Sequence, residues 1–106
     1  YIKDVVSETL PEPITVEKIV EEVSRTYNIS SEDIYSRKKQ ADIAYARQIS
    51  MYIVNQVMSL SSTDIGKKFN KDHTTVLYTI EKIKSKLKEN EYERKLVDDI
   101  IKNVKN

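Results

Sequence analysis

The sequence predicts an all-α fold, a compact helical bundle, and three observations carry that reading. One glycine and two prolines in 106 residues leave too little turn chemistry for a fold of short strands. Apolar residues recur at i, i+3 and i+4 through most of the chain. Ser, Thr or Asp stands ahead of most of these runs, where a helix N-cap belongs.

Residues 1–10 set Ile2, Val5, Val6 and Leu10 at helical spacing, and Pro11 and Pro13 end the pattern. We read residues 1–12 as the end of a linker helix from a preceding domain, and 13–106 as the domain itself. The missing initial Met fits an excised fragment. Thr15 caps a helix with Val16, Ile19, Val20 and Val23 on its inner stripe and Glu17, Glu21 and Glu22 outside, closing near Tyr27 and Asn28. Ser30 and Asp33 then stand at capping-box spacing ahead of a short helical turn that docks Ile34. Arg37, Lys38, Lys39 and Gln40 make a basic connection.

The next helix is predicted over about residues 43–59, with Ala46, Ile49, Ile53 and Val57 buried and Tyr52 and Leu60 beside them; it is the spine of the fold. Ser61 or Ser62 caps a short helix carrying Ile65 and Phe69 on one face. Asn70 and Lys71 turn, Asp72 caps again, and Val76, Leu77, Ile80, Ile83 and Leu87 mark a long amphipathic helix. Asn90 divides it from a last helix with Leu96, Val97, Ile100, Ile101 and Val104 inward. There is no internal repeat and no low-complexity segment.

Several function classes are excluded by composition. Without cysteine there is neither a disulfide framework nor a thiolate metal site, which suits a reducing, cytoplasmic setting. No apolar run approaches the roughly 20 residues of a membrane span, and the first residues lack the basic-then-apolar order of a signal peptide. The only His has no carboxylate pair at metal-binding spacing, and a single Gly cannot build a phosphate loop. No catalytic residue and no metal site is therefore assigned, and the chain reads as a non-enzyme.

The net charge of +1 conceals a segregation: residues 34–88 carry eleven Lys or Arg against four Asp or Glu, and the flanks carry seven against thirteen. Within the basic stretch, a short helix, a brief turn and a longer helix give the outline of a helix-turn-helix. The longer helix opens with Asp72, His73, Thr74 and Thr75, polar side chains at the end that such motifs direct to base edges. Asp accepts from the cytosine amino group, Thr offers a hydroxyl or a methyl, and His donates to base acceptors. The same residues also suit a helix start with no ligand, Asp72 as its N-cap and the rest exposed.

The run Ile65, Gly66, Lys67, Lys68, Phe69, Asn70, Lys71, Asp72, His73, Thr74, Thr75, Val76, Leu77 closely resembles the signature of the C-terminal DNA-binding domain of the bacterial replication initiator DnaA. The basic loop over residues 36–39, and Ala44, Tyr45, Ala46, Arg47, Gln48, Ile49, Ser50, Met51, Tyr52, are similar to further parts of that family. The resemblance spans about residues 15–106. It implies a Trp-repressor-like helical bundle that reads double-stranded DNA at an asymmetric box, in a nucleoid-associated cytoplasmic protein.

By that resemblance Asp72, His73, Thr74 and Thr75 read bases in the major groove, with Thr79 near a thymine methyl. Lys39, beside Arg37 and Lys38, takes the place of an arginine that enters the minor groove. Arg47 and Gln48 hold phosphates, as do the backbone amides of Ser62 and Thr63, while Lys67, Lys68 and Lys71 add phosphate attraction. The resemblance assigns no cofactor to this stretch; ATP belongs to a separate domain, and self-assembly runs through other domains of the parent.

The sequence departs from the family pattern at the turn, where Asn70 and Lys71 replace a commoner Gly-Gly-Arg, and at Tyr45 and Ala46, which replace a proline-containing segment. Ala41 and Asp42 dilute the basic loop, and Thr79 replaces a small residue. The parent is then the initiator or a diverged paralogue.

Two other readings share the helical architecture. A transcriptional regulator with a Trp-repressor-like fold would act as a dimer on a palindrome. A helical protein-interaction module would dock a partner on Leu96, Val97, Ile100, Ile101 and Val104 and have no affinity for DNA. The first ten residues hold one lysine, Lys3, too little basic charge for contact with an acidic membrane.

Overall fold

The structure, a computed structural model, describes residues 14–105. The expected linker helix lies outside the described residues. Among these there are six helices: α1 (Val16–Tyr27), α2 (Ser31–Tyr35), α3 (Ala41–Met58), α4 (Ser62–Phe69), α5 (His73–Glu89) and α6 (Glu91–Lys105).

Five of the helix starts among the described residues are closed by a side-chain oxygen one residue ahead of the helix, α6 by Asn90 Oδ1, which accepts from the Glu93 amide at 3.1 Å. Thr15 Oγ1 accepts from the Lys18 amide at 3.1 Å, Ser30 Oγ from Asp33 at 3.1 Å, and Ser61 Oγ from Asp64 at 3.1 Å. Asp72 Oδ1 accepts from Thr75 at 2.9 Å. Each bond satisfies an amide that the helix cannot pair internally, worth about 1 kcal/mol. Three helices end on a residue at positive φ: Asn28 at 58°, Ser59 at 56° and Asn70 at 60°. Asn accepts this left-handed geometry better than most residues, so two of these stops are written in the sequence.

The spine is α3, which packs against all five other helices. It begins two residues ahead of the expected start, because Ala41 extends the helix at little cost and Gln40 supplies the first carbonyl, accepting from Ala44 at 2.8 Å. Ile49, Ile53 and Val54 are completely buried on it, against Ile19 and Val23 of α1, Ile34 of α2, Ile65 of α4, and Val76 and Ile83 of α5. Truncating a side chain such as Ile53 to Ala costs roughly 2–5 kcal/mol in a core of this kind.

The inner stripe of α5 differs from the expected one. Val76, Ile80, Ile83 and Leu87 are buried as predicted, but Leu77 is 51% exposed and Thr79 fills the inward position. At 100° per residue, position 77 falls off a stripe that positions 76, 80, 83 and 87 already define. On α6 Val97, Ile100 and Val104 are buried, whereas Leu96 and Ile101 are only half-buried at the rim. Tyr78 is 69% exposed.

The last helix is fastened by one carboxylate. Glu93 Oε2 accepts from the hydroxyls of Tyr27, on α1, at 3.2 Å and Tyr45, on α3, at 3.0 Å. The two rings meet edge to face at 5.8 Å, and Lys86 of α5 sits 4.3 Å from the Tyr45 ring centre. The same surroundings, burial first and the Glu93 charge with it, hold both phenols well above the ordinary tyrosine pKa.

Candidate nucleic-acid interface

Three residues, 70–72, join α4 to α5, and their tightness depends on the only glycine in the chain. The Gly66 carbonyl accepts from the amides of Asn70 and Lys71, the latter at 2.8 Å. The chain then folds back so that a Cβ at residue 66 would overlap the Lys71 carbonyl oxygen. Ile65 and Phe69 anchor α4 in the core, Tyr35 stacks on Phe69 at 5.6 Å, and Val76 anchors α5. The start of α5 therefore projects from a rigid base.

At that start Asp72, His73, Thr74 and Thr75 are all exposed. The cap bond from Thr75 holds the Asp72 carboxyl below its usual pKa, and it engages Oδ1 of the two oxygens. One face of the same helix also exposes Leu77, one turn beyond Thr74, and Tyr78. Sequence reasoning missed Leu77; strict helical bookkeeping against 76, 80 and 83 would have found it. A cleft of about 480 Å³ runs beside the turn, edged by Thr63, Lys67, Lys71 and His73. Ser61 caps α4 through the Asp64 amide, so the first-turn amides of Ser62 and Thr63 are left outside the helix's own bonding.

The basic connection, residues 36–40, is held down from beneath. Arg47 is only 4% exposed, and each nitrogen of its guanidinium donates to a backbone carbonyl: Nε to Ile34 at 2.8 Å, Nη1 to Lys38 at 3.1 Å, Nη2 to Asp33 at 3.1 Å. Burial lowers its pKa from the ordinary guanidinium value. The expected phosphate contact of Arg47 is thereby corrected: its side chain is spent on the loop that lies above it. Thr79 is corrected for a similar reason, since at 4% exposure it faces α3 and not outward.

Two of the three expected minor-groove cations also have protein partners. Lys38 Nζ pairs with Asp33 Oδ1 at 2.8 Å, which raises the lysine pKa and lowers that of the acid. Arg37 reaches across to the turn. The Asn70 amide is assigned with its oxygen toward the loop, the orientation its surrounding donors require, and so placed it accepts from Arg37 Nε at 3.1 Å and Nη2 at 2.7 Å. Lys39 remains at the loop's edge, exposed and, among the described residues, without an acidic partner within ion-pair distance.

Lys39, Gln48, Lys71 and Thr75, from the loop, α3, the turn and α5, line one cavity of about 150 Å³ whose walls include Arg47 and Thr79. Residues far apart in sequence thus converge beside the start of α5. Lys67, Lys68 and Lys71 likewise have no acidic partner among the described residues, so this side keeps its positive charge. Lys68 is exposed but edges neither the cleft nor the cavity. The described residues contain no cluster of His, Cys, Asp and Glu able to hold a metal, and no helix long and apolar enough to cross a membrane.

Comparison with known proteins gives the family. Residues 16–83 match the family model described as the bacterial dnaA protein helix-turn-helix, and that match covers α1 to α4 and most of α5. The chain is 44% identical over 104 residues to the chromosomal replication initiator protein DnaA of Caldanaerobacter subterraneus subsp. tengcongensis. It is 43% identical over 104 residues to that of Thermoanaerobacter pseudethanolicus and 38% identical over 104 residues to that of Lachnoclostridium phytofermentans. These alignments cover 98%, 98% and 97% of this chain but only 23% of each relative, so the chain spans about a quarter of their length. With the match extending over well more than half of its residues, this chain belongs to the bacterial DnaA helix-turn-helix family.

Proposed function

We propose that this chain binds double-stranded DNA as a monomer, with the start of α5 in the major groove and residues 36–40 over the adjacent minor groove. The observation that carries the reading is the convergence of Lys39, Gln48, Lys71 and Thr75 around one cavity beside an exposed, rigidly based helix start. Helices of this type present their N-terminal side chains to base edges, and the flanking contacts hold phosphates.

In this reading His73, Thr74 and Thr75 read base edges, and Asp72 combines its cap with an oxygen offered to a cytosine amino group. Leu77 replaces Thr79 as the apolar group against a thymine methyl, because it is the one of the two that is exposed. Lys39 enters the minor groove, where a narrow A/T-rich stretch concentrates negative potential. Gln48, Lys67, Lys68, Lys71 and the Ser62 and Thr63 amides hold the phosphates.

Membership of the family supports an asymmetric site of the DnaA-box kind as the target and replication initiation as the setting. ATP and cooperative assembly are proposed for regions of a longer parent protein. Binding energy divides accordingly: about 1–3 kcal/mol for each base discriminated, and a salt-dependent share from phosphate contacts.

The test is fluorescence anisotropy of the chain with a duplex carrying a DnaA-type box and with a scrambled duplex, each across a salt series. A preference for the box that persists as salt rises supports the proposal. Equal affinities that collapse with salt reduce it to nonspecific DNA binding, and a dimer on a palindrome would favour a transcriptional regulator. No binding to either duplex at low salt would leave the helical interaction module.

A further inference from the structure

We propose that Arg37 is a positioning residue and not a DNA cation: its fork on Asn70 locks the basic loop to the helix-turn-helix turn, so that the two DNA-reading elements move as one body. The inference rests on the DNA-binding reading above and refines it. Its starting point is an apparent surplus. The loop carries three consecutive cations, yet only Lys39 has no protein partner among the described residues.

The loop is fixed along its length. Arg47 ties the carbonyls of Asp33, Ile34 and Lys38 to α3. Ser36 Oγ donates to the Asp33 carbonyl at 2.6 Å and accepts from the Lys38 amide at 3.2 Å. These bonds attach the loop to α2 and α3, but none reaches the turn that carries α5. Arg37 supplies that link, with Nε and Nη2 both on the Asn70 side-chain oxygen.

Asn70 is well suited to receive it. Its backbone sits at φ 60°, where Gly or Asn is favoured, and Gly has no side chain to offer. At this position Asn therefore serves both the turn and the bracket. A guanidinium fork constrains direction as well as distance, which a lysine ammonium does not. Because recognition geometry must hold within about half an ångström, a loop able to drift relative to α5 would lose register between the two grooves.

The variants that separate the roles are Arg37→Lys, Asn70→Gly, Asn70→Asp and the Arg37→Lys, Asn70→Gly double. Arg37→Lys keeps the charge and loses the fork. Asn70→Gly relaxes the backbone at positive φ, so folding is preserved, with circular dichroism melts as the check. Asn70→Asp keeps an acceptor for the fork.

Measured as the ratio of box to scrambled affinity over a salt series, each single break should lower the ratio roughly three- to tenfold with little change in salt slope, and the double should be no worse than either. Asn70→Asp should retain the ratio while weakening both duplexes together. Additive losses, a normal ratio for either single variant, or Arg37→Ala flattening the salt slope while Asn70→Gly is silent would each overturn the bracket.

A DNA-free measurement separates this proposal from the one beneath it. In the free protein the Arg37 Nε–H should exchange slowly by NMR in the wild type and in Asn70→Asp, and fast in Asn70→Gly. Unprotected exchange in the wild type overturns the bracket whatever the DNA result. Protection without any box preference would leave the bracket standing and sink the sequence-specific reading.

Discussion

Gly66 on α4 lies directly under the carbonyl oxygen of Lys71, so closely that the turn leaves no room for a side chain at residue 66. The contact is between backbones, and its yielding partner would have to be the turn itself. Gly66→Ala should therefore destabilise the fold by about 1–3 kcal/mol, through displacement of the turn rather than lost helix propensity, since Ala is the better helix former. Urea melts give the stability and box binding gives the register. A stable variant with unchanged box affinity would contradict the packing argument.

Arg47 provides a second test, since a phosphate contact and a loop anchor predict different losses. With its guanidinium removed, the Ile34 and Lys38 carbonyls lose the donor that Arg47 gives them, while the Asp33 carbonyl keeps those of Ser36. Arg47→Met should cost about 2–4 kcal/mol in the absence of DNA, and Arg47→Lys should recover little, because one ammonium cannot reproduce the fork. The salt slope of DNA binding should be nearly unchanged in any folded variant. A flattened slope with normal thermal stability would return Arg47 to the phosphates.

These two residues mark where sequence reasoning stops. The helices were legible because caps and stripes are local: Thr15, Ser30 and Asp72 each bond an amide three residues on. The motif around Asp72–Thr75 was legible because its residues are contiguous. The phosphate role of Arg47 came from the family resemblance, and only the fold brings the carbonyls of Asp33, Ile34 and Lys38 around its side chain. Asn70 was readable as a turn residue from its tolerance of positive φ, but its contact with Arg37 spans 33 positions and leaves no local signal. Leu77 was misread because a hydrophobic side chain beside Val76 was assigned to the core without checking its angle on the helix.

The tyrosine pair on Glu93 predicts the behaviour at high pH. The pKa values of Tyr27 and Tyr45 are raised by folding above the ordinary tyrosine value of 10.0, so the folded state favours the neutral phenols. Their contribution is complete below about pH 10 and is lost as pH rises beyond it, because the unfolded chain then releases these protons first. Stability to urea should accordingly begin to fall above about pH 10, and the Tyr27→Phe, Tyr45→Phe double variant should show a shallower decline. An unchanged decline in that variant would place the alkaline sensitivity elsewhere.

The exposed start of α5 supports the most direct test of base reading. His73→Ala and Thr74→Ala remove side chains that are exposed and outside the core, so stability should change by no more than about 0.5 kcal/mol. Each should lower box affinity by roughly five- to a hundredfold while leaving scrambled DNA almost unaffected, as expected for groups worth 1–3 kcal/mol of discrimination. Leu77→Ala should behave likewise, with the loss confined to boxes that keep a thymine at the contacted step and absent when uracil replaces it. Lys67→Ala acts through charge, so it should weaken both duplexes about equally and reduce the salt slope by about one. Equal losses on both duplexes from His73→Ala, or selective loss from Lys67→Ala, would reverse the division of labour between reading and attraction.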